Sequence, residues 1–120
     1  DELLENATRA GAYAMEKLRA MQERHPTIGE VRGIGLMIGI EFVYDRQTKQ
    51  HADDLRDRIV DLAFEKGLLT LGAGRNVIRI SPPLSVSTAE LEEGLTILEQ
   101  AIAQAEQEIL PVRQAVLQPC

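Results

Sequence analysis

The first apolar pattern along the chain has the period of a helix. Its members recur at steps of three and four residues and are Leu4, Ala7, Gly11, Ala14, Leu18 and Met21. That spacing puts them on one stripe and predicts an amphipathic helix from about residue 2 to residue 24. Because a proline disfavours helical backbone in the residue before it, His25-Pro26 should end this helix.

A strand pattern follows, with apolar residues at every second position. The apolar members are Ile34, Leu36, Ile38, Ile40 and Phe42, and the positions between them are Gly33, Gly35, Met37, Gly39 and Glu41. Unbroken alternation predicts one strand with one buried face. Since glycine weakens a strand interior, the glycine-rich face should allow another backbone or a second layer to come close. The polar residues 46–54 predict a loop.

The next apolar stripe lies between two local helix signals. Asp53 or Asp54 can cap the start of a helix, and Lys66-Gly67 is typical of a cationic last turn followed by a left-handed residue. The stripe between them consists of Leu55, Ile59, Leu62 and Ala63. A short strand at 68–71, a turn at 72–76 and a strand at 77–81 should follow. Pro82-Pro83 then stops both strand and helix, because proline has no N–H to donate.

The last helix has the clearest start. Ser87-Thr88-Ala89-Glu90 matches the capping box, and an apolar stripe predicts a helix to about Ile109, just before Pro111. Residues 111–120 are a tail without a predicted structure. The order helix, strand, helix, strand, strand, helix predicts a two-layer α+β or α/β fold in which helices cover one face of a sheet.

Composition narrows the classes of function. The 120 residues fit one domain, the net charge of -6 argues against a nucleic-acid surface, and no apolar run is long enough for a membrane span. The one cysteine, Cys120, is typical of a cytoplasmic protein, and His25 and His51 are too far apart in sequence to indicate a metal pair. Because the chain opens inside a helix pattern without an initiating methionine, we expect a fragment of a larger protein.

Arg79 is the sharpest candidate for binding chemistry. In the run "VIRIS" it lies on the strand face away from Ile78 and Ile80. Its planar guanidinium suits a carboxylate, so it could clamp a substrate carboxylate. Pairing with a local acidic residue or simple solvation explains it equally from spacing alone.

Other motifs favour structural roles. Arg32, just before the glycine-rich run, has the same two interpretations, and a structural ion pair is favoured. Gly33, Gly35 and Gly39 resemble a dinucleotide fingerprint only superficially, because that motif needs a turn between a strand and a helix. The spacings indicate no Ser-His-Asp, Cys-His or paired-carboxylate arrangement.

Three segments in order, "EVRGIGLMIGIEF", "AFEKGLLTL" and "NVIRISPPLSVSTAELEEGLTILEQAI", resemble the C-terminal part of the class III pyridoxal-phosphate aminotransferases, a family that includes 4-aminobutyrate, ornithine and acetylornithine transaminases. The resemblance implies the small domain of a fold-type I enzyme, with an antiparallel sheet covered by helices and packed on a large cofactor domain in a homodimer. It places the family's substrate-carboxylate arginine at Arg79. It also implies that Arg32-Gly33 belongs to a structural signature, together with Gly35, Gly39, Pro82 and Pro83.

The resemblance implies an amino-group transfer from an amino acid, with an ω-amino acid such as 4-aminobutyrate favoured, to a 2-oxo acid. The chain departs from the family because Lys17, Lys49 and Lys66 lie outside any segment resembling the Schiff-base lysine segment, and the phosphate-binding segment is missing. We therefore expect residues 1–110 to be a small domain that does not bind pyridoxal 5′-phosphate and is inactive alone, with residues 111–120 as its tail. A freestanding carboxylate-binding module and a protein-interaction domain are the alternatives.

Overall fold

The computed structural model describes residues 2–117, so Cys120 lies outside the described residues. Three helices and five strands make up this part of the chain. The helices are α1 (Glu2–Arg24), α2 (Asp53–Glu65) and α3 (Thr88–Leu117), and the strands are β1 (Ile28–Ile34), β2 (Met37–Asp45), β3 (Gln50–His51), β4 (Leu71–Ala73) and β5 (Val77–Ile80). No helix among these is long and apolar enough to cross a bilayer.

The sheet is antiparallel in the order β1-β2-β5-β4, with the short β3 paired to the far end of β2. Helices α1 and α2 pack on one face of the sheet and α3 packs against both of them. The fully buried Ile38, Ile40 and Phe42 of β2 belong to the same apolar core as the stripes of the three helices. The predicted two-layer α+β fold is therefore confirmed. The strand β3 corrects the prediction of an unbroken polar loop over residues 46–54.

The first helix has the predicted bounds and nearly the predicted stripe. Its buried residues are Ala7, Ala10, Gly11, Ala14, Leu18 and Met21. Leu4 was expected among them but is 60% exposed. Gly11 marks the closest approach of the helix to the sheet, since a Cβ there would lie 2.3 Å from the carbonyl oxygen of Gly35.

The alternating run is a hairpin, so the prediction of one strand from Ile34 to Phe42 was wrong. The chain turns at Gly35-Leu36 between β1 and β2, and Gly35 has a φ of 58°, which favours glycine. A two-residue turn pairs residue 33 with residue 38, and paired residues share a face. Gly33 therefore lies on the helix side with Ile38, whereas the prediction put it on the opposite face.

The second helix ends as predicted but starts differently. Ala52 is its N-cap, and Asp53 and Asp54 lie in the first turn without capping it through their side chains. At the other end the amides of Gly67 and Leu68 donate to carbonyls of the last turn, and Gly67 has a φ of 94°, which is a Schellman ending. The predicted strand at 68–71 is shifted, because β4 occupies Leu71–Ala73.

The capping box at the start of α3 is confirmed. The amide of Ser87 donates to Glu90 Oε1 and the amide of Glu90 donates to Ser87 Oγ, both at 3.0 Å. These hydrogen bonds lower the pKa of the Glu90 carboxyl.

The predicted end of α3 near Ile109 was wrong, because the helix continues through Pro111 to Leu117. A proline in a helix interior loses one hydrogen bond, so later residues need other support. Arg113 places its guanidinium 3.6 Å from the centre of the Tyr44 ring and so connects this segment to β2. The Tyr44 hydroxyl donates to Asp54, and burial together with that carboxylate raises the Tyr44 pKa.

Candidate functional site

The sheet face without helices carries the two arginines singled out in the sequence. The register pairs Gly39 of the central strand β2 with Arg32 on β1 and with Arg79 on β5. Residues paired across strands share a face, so the two arginines flank a glycine on one row. Leu71 on β4 pairs with Arg79 and completes this row, which we call the arginine row: Arg32, Gly39, Arg79 and Leu71.

A shallow cavity of about 620 Å³ lies over the arginine row. Arg32, Gly39 and Arg79 line it, together with Glu41 and Val77 from the next positions of β2 and β5. Glu41 puts a carboxylate one row away from the arginines, so the cation-rich part of the cavity is the part above Gly39. This part suits an anion.

Arg79 is the unpaired cation of the two. Its side chain is exposed and makes no hydrogen bond or ion pair with any residue in the described part of the chain. Arg32 lies 3.6 Å from a carboxylate oxygen of Glu30, a contact between two exposed side chains. Pairing of Arg79 with a local acidic residue, one of the two structural explanations considered from the sequence, is therefore absent in residues 2–117. The N–H donors of its guanidinium are available to a ligand.

Asn76 fixes the register of the strand that carries Arg79. Its side-chain amide donates to the carbonyl of Phe42 at 2.9 Å, and the Phe42 amide donates back to the Asn76 carbonyl at 2.8 Å. Asn76 is buried, so these bonds are shielded from water. Sequence reasoning treated Asn76 only as a turn residue and missed this function.

Arg56 holds the turn that precedes β5. It extends from α2 and is 9% exposed. Its Nη1 donates to the Val77 carbonyl at 2.7 Å and its Nη2 to the Gly74 carbonyl at 3.2 Å, while Nε lies 2.7 Å from Asp57. Val77 and Gly74 also line the cavity, so this guanidinium supports the wall beside Arg79 from behind. The only signal in the sequence was the position of Arg56 beside the buried Leu55.

The remaining residues of the family signature lie at two places, the β1–β2 hairpin and the segment after β5. Gly33 also borders the cavity, but a Cβ there would point to Met15 of α1, and Gly35 forms the hairpin turn. Pro82 and Pro83 lead the chain away from the sheet into a loop. Asn6 holds that loop by donating to the carbonyls of Leu84 and Val86 at 2.7 and 3.0 Å.

The described residues do not by themselves fit a Schiff-base cofactor. Such a cofactor needs a lysine aimed at the cavity. Lys17 lies over the Tyr13 ring on α1, Lys49 is in a turn, and Lys66 caps the end of α2. None of the three lines the cavity over the arginine row.

A polar cluster on the helix side has a structural role. His25 lies 2.7 Å from Glu106 and 2.9 Å from Glu99, and Arg24 donates twice to Glu99. Thr27 completes it by donating to Glu106 at 2.6 Å. The hydrogen bond from Arg24, chiefly, lowers the pKa of the Glu99 carboxyl. The cluster joins the end of α1 to α3, and residues 2–117 contain no group of ligands suited to a metal ion.

Comparison with known proteins gives one consistent result. A family model described as aminotransferase class-III matches residues 1–102. The leucine/methionine racemase of Thermococcus litoralis is 46% identical over 106 residues, which are 88% of this chain and 24% of that protein. The 4-aminobutyrate aminotransferase of Escherichia coli K12 is 38% identical over 109 residues, 89% of this chain and 26% of that protein.

Solved structures agree with the sequence relatives. The PMP-bound form of an aminotransferase from Vibrio fluvialis superposes with a TM-score of 0.83 at 31% identity, covering 89% of this chain and 24% of that one. The chain thus spans about a quarter of the length of the relatives it matches.

Proposed function

The chain belongs to the class III aminotransferase family, and from this membership we propose that it is the part of a larger transaminase that binds the substrate carboxylate through Arg79. The observation that carries the proposal is the unpaired guanidinium of Arg79 over an open cavity. A cation held on a sheet strand without an internal partner is ready to bind an anion.

The larger enzyme would move an amino group between an amino acid and a 2-oxo acid. Pyridoxal 5′-phosphate, the cofactor of this family, supplies an electron sink when bound. Its lysine would come from outside this chain, because none of the three lysines here lines the cavity. The contribution of this chain is positional: Arg79 would hold the carboxylate so that the reacting amine is correctly oriented.

Two further expectations follow from the same proposal. The 120-residue chain alone should show no transaminase turnover, because it has no lysine at the cavity. The open face of the sheet would pack against the cofactor domain, and the larger enzyme would be a homodimer, as the family resemblance implies. An ω-amino acid such as 4-aminobutyrate is the proposed amino donor, supported by the 38% identity to a 4-aminobutyrate aminotransferase.

The test uses the full-length enzyme that contains this chain. Arg79→Met removes the charge and keeps an unbranched apolar stem. A charge-assisted contact is worth about 1.5–3 kcal/mol, so KM for a carboxylate-bearing amino acid should rise about 10- to 150-fold. KM for the corresponding amine without a carboxylate should stay within about threefold, since that substrate never used the contact.

Arg58→Met is the matched control, because Arg58 is also an arginine but lies on the helix side, paired with Glu108. It should leave KM unchanged for both substrates. If Arg79→Met leaves KM for the amino acid unchanged, the carboxylate assignment is wrong.

A second candidate function is amino-acid racemisation, and it is supported by the 46% identity to a leucine/methionine racemase. Arg79 would hold a carboxylate in either reaction. Incubation of the full-length enzyme with one enantiomer of leucine, without any 2-oxo acid, separates the two. Appearance of the other enantiomer supports a racemase, whereas formation of a 2-oxo acid only when a second 2-oxo acid is added supports a transaminase.

A further inference from the structure

Gly39 is a bare position at the centre of the arginine row. Its backbone has no positive φ, and a Cβ built there would have one neighbour within 4 Å, the Val77 Cγ1 atom at 3.7 Å. That distance is an ordinary van der Waals contact. The packing of the described residues therefore leaves room for a side chain at position 39.

Two other glycines of the sheet differ, because a Cβ there would come close to a side chain of the chain itself. A Cβ on Gly33 would lie 2.9 Å from Met15 Sδ, and one on Gly72 would lie 2.9 Å from Arg56 Nη1. Glycine in a strand interior lowers stability, since it has the largest backbone entropy to lose and no side chain to pack. Gly39 carries this penalty on the central strand without an internal reason.

The surroundings of Gly39 point to an anion above it. Both of its register partners are arginines. Arg32 lies 3.6 Å from Glu30, whereas Arg79 has no ionic partner among the described residues, and Glu41 of the cavity belongs to the next row. Gly39 and Arg79 are paired across β2 and β5 and line the same cavity, so an anion that binds Arg79 over this row lies beside the backbone of residue 39. A side chain at position 39 would project into the cavity that Arg79 also lines.

We propose that Gly39 is a specificity-determining residue that forms the floor of the carboxylate subsite, so that the carboxylate and the adjoining carbon of the substrate lie directly on the strand backbone. This inference rests on the proposed function of Arg79. It makes position 39 selective for ligands that carry a carboxylate, because only these are drawn to the unpaired guanidinium of Arg79.

The Gly39→Ala substitution should stabilise the fold but weaken binding of the carboxylate substrate. In the 120-residue chain the thermal midpoint should rise by about 2–5 °C, because alanine costs less backbone entropy and meets no clash. In the full-length enzyme KM for the amino acid should rise about tenfold or more, as the carboxylate is displaced from its contact. KM for the amine that lacks a carboxylate should change less than about threefold.

Gly94→Ala is the matched control. Gly94 lies in α3, and a Cβ there would be 3.6 Å from Leu68 Cδ1, so alanine also fits. The thermal midpoint should rise, since alanine is the better helix former, and KM should not change for either substrate.

Four results would overturn the inference. A lower thermal midpoint of the Gly39→Ala chain would show an internal reason for glycine. Unchanged KM for the amino acid would show that nothing rests on position 39. Failure of the full-length variant to assemble, or equal losses for both substrates, would show that another part of the enzyme covers Gly39. If Arg79→Met retains carboxylate selectivity, the proposed function of Arg79 is wrong. If Arg79→Met loses that selectivity but Gly39→Ala keeps it, only the assignment of Gly39 is wrong.

Discussion

Replacing Arg56 by methionine should destabilise the fold more than any other single loss of charge on α2. Methionine keeps the apolar stem of the side chain but removes the donors to the Val77 and Gly74 carbonyls at 2.7 and 3.2 Å. The third contact, to Ala73 at 3.4 Å, is too long to count for much. Asp57 loses its partner, yet its side chain is 69% exposed, so water replaces the guanidinium there.

The magnitude follows from counting one full and one partial hydrogen bond to a buried cation. At about 1.5–3 kcal/mol for a full bond of this kind, the loss should be about 2–4 kcal/mol. A single domain has a total stability of about 5–15 kcal/mol, so this loss is easily measured. Urea unfolding of the 120-residue chain should show a lower midpoint with an unchanged slope.

Arg58→Met is the control on the same helix, because Arg58 makes a bidentate pair with Glu108 in which both side chains are more than a third exposed. Its loss of stability should be much smaller, because exposed ion pairs are screened by water. The reasoning would be refuted if Arg56→Met cost no more than Arg58→Met, since buried donors to the turn would then contribute nothing beyond a surface pair.

Three further predictions concern other parts of the fold. Ser87→Ala removes the side-chain acceptor of the capping box and should lower the free energy of unfolding by about 1 kcal/mol in the same urea assay. Glu99 has a lowered folded pKa, so its stabilisation is complete above the ordinary glutamate pKa and is lost as the pH falls through the folded value. Glu99→Gln should therefore weaken the acid dependence of the free energy of unfolding, and an unchanged acid limb would contradict the pairing with Arg24. Arg113→Ala removes the contact with the Tyr44 ring, worth about 0.5–1 kcal/mol, and should speed amide hydrogen exchange in residues 112–117. Unchanged exchange there would show that the segment after Pro111 does not depend on that contact.

The helix signals were predictable because they are local. The capping box at Ser87 and the Schellman ending at Gly67 are set by residues within one turn of the helix end, so spacing is enough to recognise them. The same local reasoning failed at Pro111. There the helix continues past the proline, and Arg113 beyond it contacts Tyr44, a residue far away in sequence.

The hairpin between β1 and β2 shows why one pattern can support two structures. Ile38, Ile40 and Phe42 are buried as the alternation predicts. A two-residue turn at Gly35-Leu36 leaves the alternation along the sequence intact, although it reverses which positions of the preceding strand share that face. Periodicity alone therefore could not detect the turn, and it put Gly33 on the wrong side of the sheet.

The site divides in the same way. Side chains alternate along a strand, so the sequence alone determined that Arg79 points away from Ile78 and Ile80. The sequence also determined those helix ends whose capping residues lie next to each other in the chain. Only the tertiary structure decided that Arg79 has no ionic partner within the described residues, that it shares a row with Arg32 across Gly39, and that Arg56 and Asn76 hold its strand in place. The physical reason is range: periodicity and capping act between residues close in sequence, whereas the register of the sheet and the buried hydrogen bonds join residues that only folding brings together.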